Sequence, residues 1–166
     1  MTMAKGITNG VMPLGAVASR EKIYDTVLDA SPTGAVEFFH GYTYSAIPPS
    51  IAAGLAMQNI IEKENLFQRS KDMSPYFLDG LFSLKDIDII TDIRGYGMLG
   101  GIDVRFDERP GKAGYTCFKK LFEAGLSLKA TGDCLIVAPP FVCEKEHIDE
   151  IIDKLRIGIT NYMKSK

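Results

Sequence analysis

In short stretches between residues 86 and 138 the apolar side chains recur every second residue, whereas on both sides of that region they recur every three to four. That change of period constrains the fold most, since a two-residue repeat fits a half-buried strand and cannot settle as a helix. Ile87 and Ile89 alternate with Asp86 and Asp88, and Ile102, Val104 and Phe106 alternate with Asp103 and Arg105. Leu126 to Ala130 and Cys134 to Ala138 read as two further short strands around a turn at Thr131-Gly132-Asp133. Between the first pair lies Arg94-Gly95-Tyr96-Gly97-Met98-Leu99-Gly100-Gly101, a connection whose four glycines permit unusual backbone angles and close approaches. Its pattern is not that of a phosphate-binding loop.

Helices flank this region, and one interrupts it. Ala53, Ala56, Met57, Ile60 and Ile61 predict one from Ser50, and Phe77, Leu78, Leu81 and Phe82 predict another over 67–84 that Pro75 must kink or restart. Tyr115, Phe118, Leu121 and Phe122 mark one face of a third helix, stopped near Gly125. In the last, Ile148, Ile151, Ile152, Leu155 and Ile159 form a stripe, with acidic residues early and basic residues late, an order that suits the helix dipole. Before Ser50 the signals are shorter. Asn9-Gly10 breaks the chain before a full element forms, Leu14 to Ser19 suits a buried strand, and Ser19 is placed to cap a short helix from Arg20 to about Leu28. Residues 29–49 form a long loop in which Phe38, Phe39, Tyr42 and Tyr44 are interleaved with His40, Thr43 and Ser45, and that aromatic content argues against disorder. The order of elements implies an α/β chain whose second half is an α+β lobe: one largely antiparallel sheet covered by helices.

The 166 residues carry a net charge of -2 with no basic tract, which argues against capture of nucleic acid or anionic membrane. No run approaches the roughly 18 apolar residues of a spanning helix, and the first residues lack the pattern of a secretory leader, so a cytoplasmic protein is expected. Cys117, Cys134 and Cys143 are odd in number and lack C-x-x-C spacing, which predicts reduced packing residues. No Ser-His-Asp, metal-ligand or phosphate-cradle pattern is present. His147, on the acidic first turn of the last helix, reads as a surface residue, and His40 as a structural hydrogen-bonding one.

Two blocks in order change the picture. Ala4-Lys5-Gly6-Ile7-Thr8-Asn9-Gly10 followed by Met12-Pro13-Leu14-Gly15-Ala16-Val17 resembles the cofactor-lysine segment of the class III pyridoxal-phosphate aminotransferases, above all those using omega-amino acids or beta-alanine with pyruvate. Phe39-His40-Gly41-Tyr42-Thr43-Tyr44-Ser45-Ala46, then Pro48 and the Ala53-Gly54-Leu55 helix, is similar to the family's next signature. Weaker agreement continues through Arg94 to Leu99, Gly132-Asp133 and Pro139-Pro140. The resemblance implies the C-terminal part of the fold-type I architecture and pyridoxal 5'-phosphate as cofactor. It also implies amine and keto-acid substrates and a homodimer. Residues 1–64 would be the end of the large cofactor domain, and 65–166 the small C-terminal domain.

By that resemblance Lys5 matches the lysine that bonds the cofactor aldehyde and moves a proton between substrate and cofactor. An amine with that task must spend time unprotonated, which desolvation or a neighbouring cation favours. Thr43 matches the residue whose hydroxyl reaches the phosphate of the neighbouring subunit's cofactor, a donor that adds no charge, and Tyr42 and Tyr44 read as packing residues of that interface. Lys129 stands where many members carry an arginine for the substrate carboxylate, so a point charge replaces a two-pronged donor. The family's earlier portion supplies the phosphate turn, the ring-stacking aromatic residue and the aspartate at the ring nitrogen, and only four residues precede Lys5. The expectation is therefore a fragment without turnover of its own, with Lys5 on an unsupported terminus. The alternatives are a stand-alone binding or dimerisation module, or another chemistry on the same cofactor such as an aminomutase or decarboxylating transaminase.

Overall fold

A computed structural model describes residues 1–32, 42–105 and 109–165. His40, Phe38, Phe39 and Phe106 lie outside the described residues. The chain divides into two compact units, Met1–Glu64 and Asn65–Lys166.

In the first unit, strand β1 (Thr2–Met3) pairs antiparallel with β2 (Ala16–Val17), Thr2 opposite Val17 and Met3 opposite Ala16. Lys5 therefore follows a paired strand directly, which corrects the expectation of an unsupported terminus. Helix α1 (Glu21–Asp29) is capped at Arg20 with no side-chain hydrogen bond, so Ser19 is not its cap. No residue of α1 is buried. Helix α2 (Pro48–Lys63) starts two residues before Ser50, with its prolines in the first turn, where a missing N–H costs no helical bond. Its only buried residues are Ser50 and Gly54.

The second unit holds the core. Helix α3 (Leu66–Phe82) runs through Pro75 without restarting and continues into a 3-10 turn over Ser83–Asp86. Strands β3 (Ile90–Tyr96), β4 (Leu99–Val104), β5 (Lys129–Thr131) and β6 (Cys134–Val137) form an antiparallel sheet in the order β3-β4-β6-β5. Helices α4 (Lys112–Glu123) and α5 (Lys145–Lys164) pack against each other, α3 packs on α5 and β3, and α4 packs on β4, β5 and β6. Phe77, Leu81, Ile102, Leu121, Leu135, Ile148, Leu155, Ile159 and Tyr162 have no exposed surface.

Two expectations change here. Residues 86–89 are not a strand, because the 3-10 turn after α3 runs to Asp86, residues 87–89 form a further turn and the strand begins at Ile90. The glycine-rich connection is itself a hairpin, turning at Gly97-Met98. The reason is a close approach: a Cβ on Gly95 would meet Leu78 Cδ2 at 2.5 Å, and one on Gly100 would meet Leu81 Cδ1 at 2.2 Å, so only a strand without side chains there lets α3 lie on it. On α4 the buried set is Ala113, Gly114, Cys117 and Leu121, and Tyr115 and Phe122 point to solvent.

Candidate functional site

Lys5 opens a three-residue 3-10 turn, Lys5–Ile7, immediately after extended Ala4 (φ -160°, ψ -171°). Its φ of 55° is left-handed, a conformation that costs a residue with a Cβ about 1–2 kcal/mol and persists only where the surroundings impose it. The hydrogen bonds that impose it are local. Thr8 N–H donates to Lys5 O at 3.2 Å, Asn9 N–H to Gly6 O at 3.2 Å and Val11 N–H to Thr8 O at 3.2 Å. Thr8 is buried, and its hydroxyl donates to Met12 O at 2.6 Å, closing the turn that begins at Lys5. Helix α2 backs the same segment through Gly54, where a Cβ would sit 3.1 Å from Leu14 Cδ2 and 3.8 Å from Ile7 O. The sequence reading did not single out Thr8 for this task; its one local signal is a short polar side chain inside a Gly-rich turn.

The Lys5 side chain is exposed and has no hydrogen bond or ion pair among the described residues. Beside it a Cβ on Gly6 would meet no atom within 4 Å. An accessible primary amine with open space next to the backbone is what a flat ring bearing an aldehyde requires, so this segment fits pyridoxal phosphate. Thr43 lies in the turn before α2, where Ser45 N–H donates to Tyr42 O at 2.9 Å and Ala46 is left-handed with φ 56°. Its hydroxyl is exposed, as a phosphate donor requires, and Tyr44 is 87% exposed beside it. No hydrogen bond joins Lys5 and Thr43, which share the first unit.

Lys129 belongs to the second unit, on edge strand β5 opposite Ile136. Leu128 and Ala130 pack on the core, so Lys129 and Thr131 project from the other face. Register places Asp92, Arg94, Gly101, Asp103, Cys134 and Ile136 on that same face. There the Arg94 guanidinium donates to Asp92 Oδ2 at 2.6 Å and, in a fork, to Asp103 Oδ2 at 2.7 Å and Oδ1 at 3.1 Å. Those bonds raise the Arg94 pKa and hold the Asp103 carboxyl below its ordinary range. Arg94 is thus occupied within the sheet, whereas Lys129 has no such partner among the described residues.

The bystanders behave as structural residues. His147 Nδ1 accepts the Glu144 N–H at 3.0 Å at the start of α5, so it caps a helix. Cys117, Cys134 and Cys143 are unpaired, and desolvation pushes the buried Cys117 thiol up to about 12. Among the described residues no group of His, Cys, Asp and Glu is placed to hold a metal ion, and no helix is long and apolar enough to cross a membrane.

Residues 1–158 match the family model for class III aminotransferases. An omega-aminotransferase of Caulobacter vibrioides is 40% identical over 157 residues, a match that covers 93% of this chain and 35% of that protein. A beta-alanine–pyruvate aminotransferase of Pseudomonas aeruginosa is 40% identical over 155 residues, covering 92% and 35%. Among solved structures, the adenosylmethionine-8-amino-7-oxononanoate aminotransferase of Methanocaldococcus jannaschii superposes with a TM-score of 0.87 at 30% identity, covering 96% of this chain and 38% of that one. An (S)-enantioselective omega-transaminase from Thermomicrobium roseum does so with a TM-score of 0.86 at 27% identity, covering 98% and 37%. The chain spans about a third of the length of the curated relatives it matches.

Proposed function

This chain belongs to the class III aminotransferases, a pyridoxal-phosphate-dependent family, and on that premise we propose that the protein carrying it moves an amino group from an amine or omega-amino acid to a keto acid such as pyruvate. The observation that carries this reading is Lys5, an accessible amine on a left-handed backbone that its own turn imposes, inside the segment the family model matches. Bound pyridoxal phosphate supplies an aldehyde and an electron-withdrawing ring that takes up the electron pair of a broken bond at the amine-bearing carbon. The chain supplies the rest. Lys5 would hold the cofactor and carry the proton to and from the substrate carbon, a task for which the amine must be desolvated by the cofactor and the protein around it. Thr43 donates its hydroxyl to the phosphate of a second subunit's cofactor, so the working form is a homodimer. Lys129 attracts the substrate carboxylate as a point charge, with less directional grip than an arginine fork.

In this reading residues 1–64 close the cofactor domain and residues 65–166 are the small domain. The exposed apolar residues of α1 and α2 support a first unit built to be covered by the remainder of the protein: Ile23, Val27, Leu55 and Ile60 are all open to solvent. Three unpaired cysteines support a reducing compartment such as the cytoplasm. The 166 residues alone are expected to bind the cofactor weakly and to turn nothing over.

The test is chemical. The complete protein is incubated with pyridoxal phosphate, reduced with borohydride and mapped by peptide mass. A pyridoxyl group on Lys5 is the expected result, together with alanine formed from an amine and pyruvate. Label on another lysine would remove the assignment, and product without alanine would move it to a different reaction on the same cofactor.

A further inference from the structure

Lys129 sits on a strand of three residues at the edge of the sheet, bonded to one neighbour only. Such a strand holds its register weakly, and a slip of one residue would send Lys129 to the core face and Ala130 to the open one. The β5–β6 hairpin is nevertheless bolted down at its turn. Gly132 takes φ +59°, and the next residue, Asp133, reaches across to the start of α4. Its Oδ2 accepts the Gly111 N–H at 2.8 Å and its Oδ1 accepts the Gly114 N–H at 3.1 Å, while its carbonyl accepts the Val104 N–H at the end of β4 at 3.0 Å. A carboxylate suits the first turn of a helix, where free N–H groups gather. The contact is also sterically keyed: a Cβ on Gly114 would lie 2.2 Å from Gly132 O and 2.8 Å from Asp133 Cα, so the turn and the helix meet backbone to backbone.

We propose that Asp133 is a positioning residue for substrate binding: its two carboxylate oxygens fix the β5–β6 turn on α4 and thereby fix the register and face from which Lys129 meets the substrate carboxylate. The proposal rests on the reading of Lys129 given above. No sequence pattern links a carboxylate to the two amides it serves, 22 and 19 residues away.

The experiment uses the complete protein with pyridoxal phosphate bound, and the variants Asp133→Asn, Asp133→Glu and Lys129→Ala. Asp133→Asn keeps one acceptor of the fork, and Asp133→Glu keeps both and moves them by one methylene, so at least one of the two should be recovered folded. Two readouts are taken. Amide exchange at Gly111, Gly114 and residues 129–134 should quicken about tenfold in Asp133→Asn while α5 is unchanged. The KM for pyruvate should rise about fivefold, with the KM for an amine donor lacking a carboxylate unchanged, and this rise should vanish in the Lys129→Ala background. Unchanged exchange, or an equal rise in KM with and without Lys129, overturns the positioning role and leaves the Lys129 reading standing. If Lys129→Ala alone leaves the pyruvate KM unchanged, that reading fails and takes this inference with it.

Discussion

The two units of the chain bury their surfaces in opposite ways. Every buried apolar side chain among the described residues lies at Leu66 or beyond, where α3 and α4 pack on an antiparallel sheet and α5 packs on both helices. The first unit has comparable apolar content in its helices and buries almost none of it: α1 buries no residue, and α2 buries only a serine and a glycine. The lesson is that the helical period on α2 does not report a core within this chain. An amphipathic pattern states that a face is to be buried and says nothing of what covers it.

That contrast is open to attack by mutation. The largest effect is expected in the second unit, where Leu155→Ala should lower the unfolding free energy of the chain by about 3 kcal/mol, because a fully buried leucine leaves a cavity. Leu55→Ala on α2, 61% exposed, should change it by less than about 0.5 kcal/mol. Chemical denaturation of both variants checks the pair, and equal losses would break the comparison. Next comes Gly114→Ala, whose added carbon has a backbone oxygen in its way and should cost about 2 kcal/mol by the same measurement.

The smallest effect is electrostatic and sharpens the picture within the second unit. Arg94 and Asp103 lie on the open face with side-chain exposures of 54% and 35%, so solvent screening leaves their fork only a small contribution to stability. Its pH dependence has a definite sign. The Asp103 pKa is lowered in the folded state, so the contribution is complete above the unfolded carboxylate value near ~4 and is lost as pH falls through the folded value. Thermal melts of Asp103→Asn and the parent chain should therefore differ at pH 7 and converge in strong acid.

Much of this was legible in the sequence where a residue's neighbours along the chain decide its state. The stripe of α5, the strands flanking Thr131-Gly132-Asp133 and the antiparallel character of the second half all follow from local spacing. The misreadings have a common cause. Residues 86–89 alternate as a strand does, yet the 3-10 turn after α3 ends at Asp86 and residues 87–89 form a turn closed by Ile90 N–H donating to Ile87 O; Tyr115 and Phe122 look like core residues of α4, yet the smaller Ala113, Gly114 and Cys117 face the core because α5 and the β5–β6 turn come close. Lys5, Thr43 and Lys129 are candidates through resemblance rather than through physics, since an exposed hydroxyl and exposed amines leave no periodic trace.

By itself, then, the sequence determined where most helices and the β5–β6 hairpin form and which family the chain resembles, because period, turn residues and a contiguous motif act over a few neighbouring positions. Only the tertiary structure decided that Gly95 and Gly100 belong to a hairpin under α3, that Thr8 closes the turn of Lys5 against Met12, and that Asp133 bonds the start of α4. Most of these depend on close approach between elements brought together by the packed core; even the local turn at Thr8 is fixed by a burial that spacing does not encode.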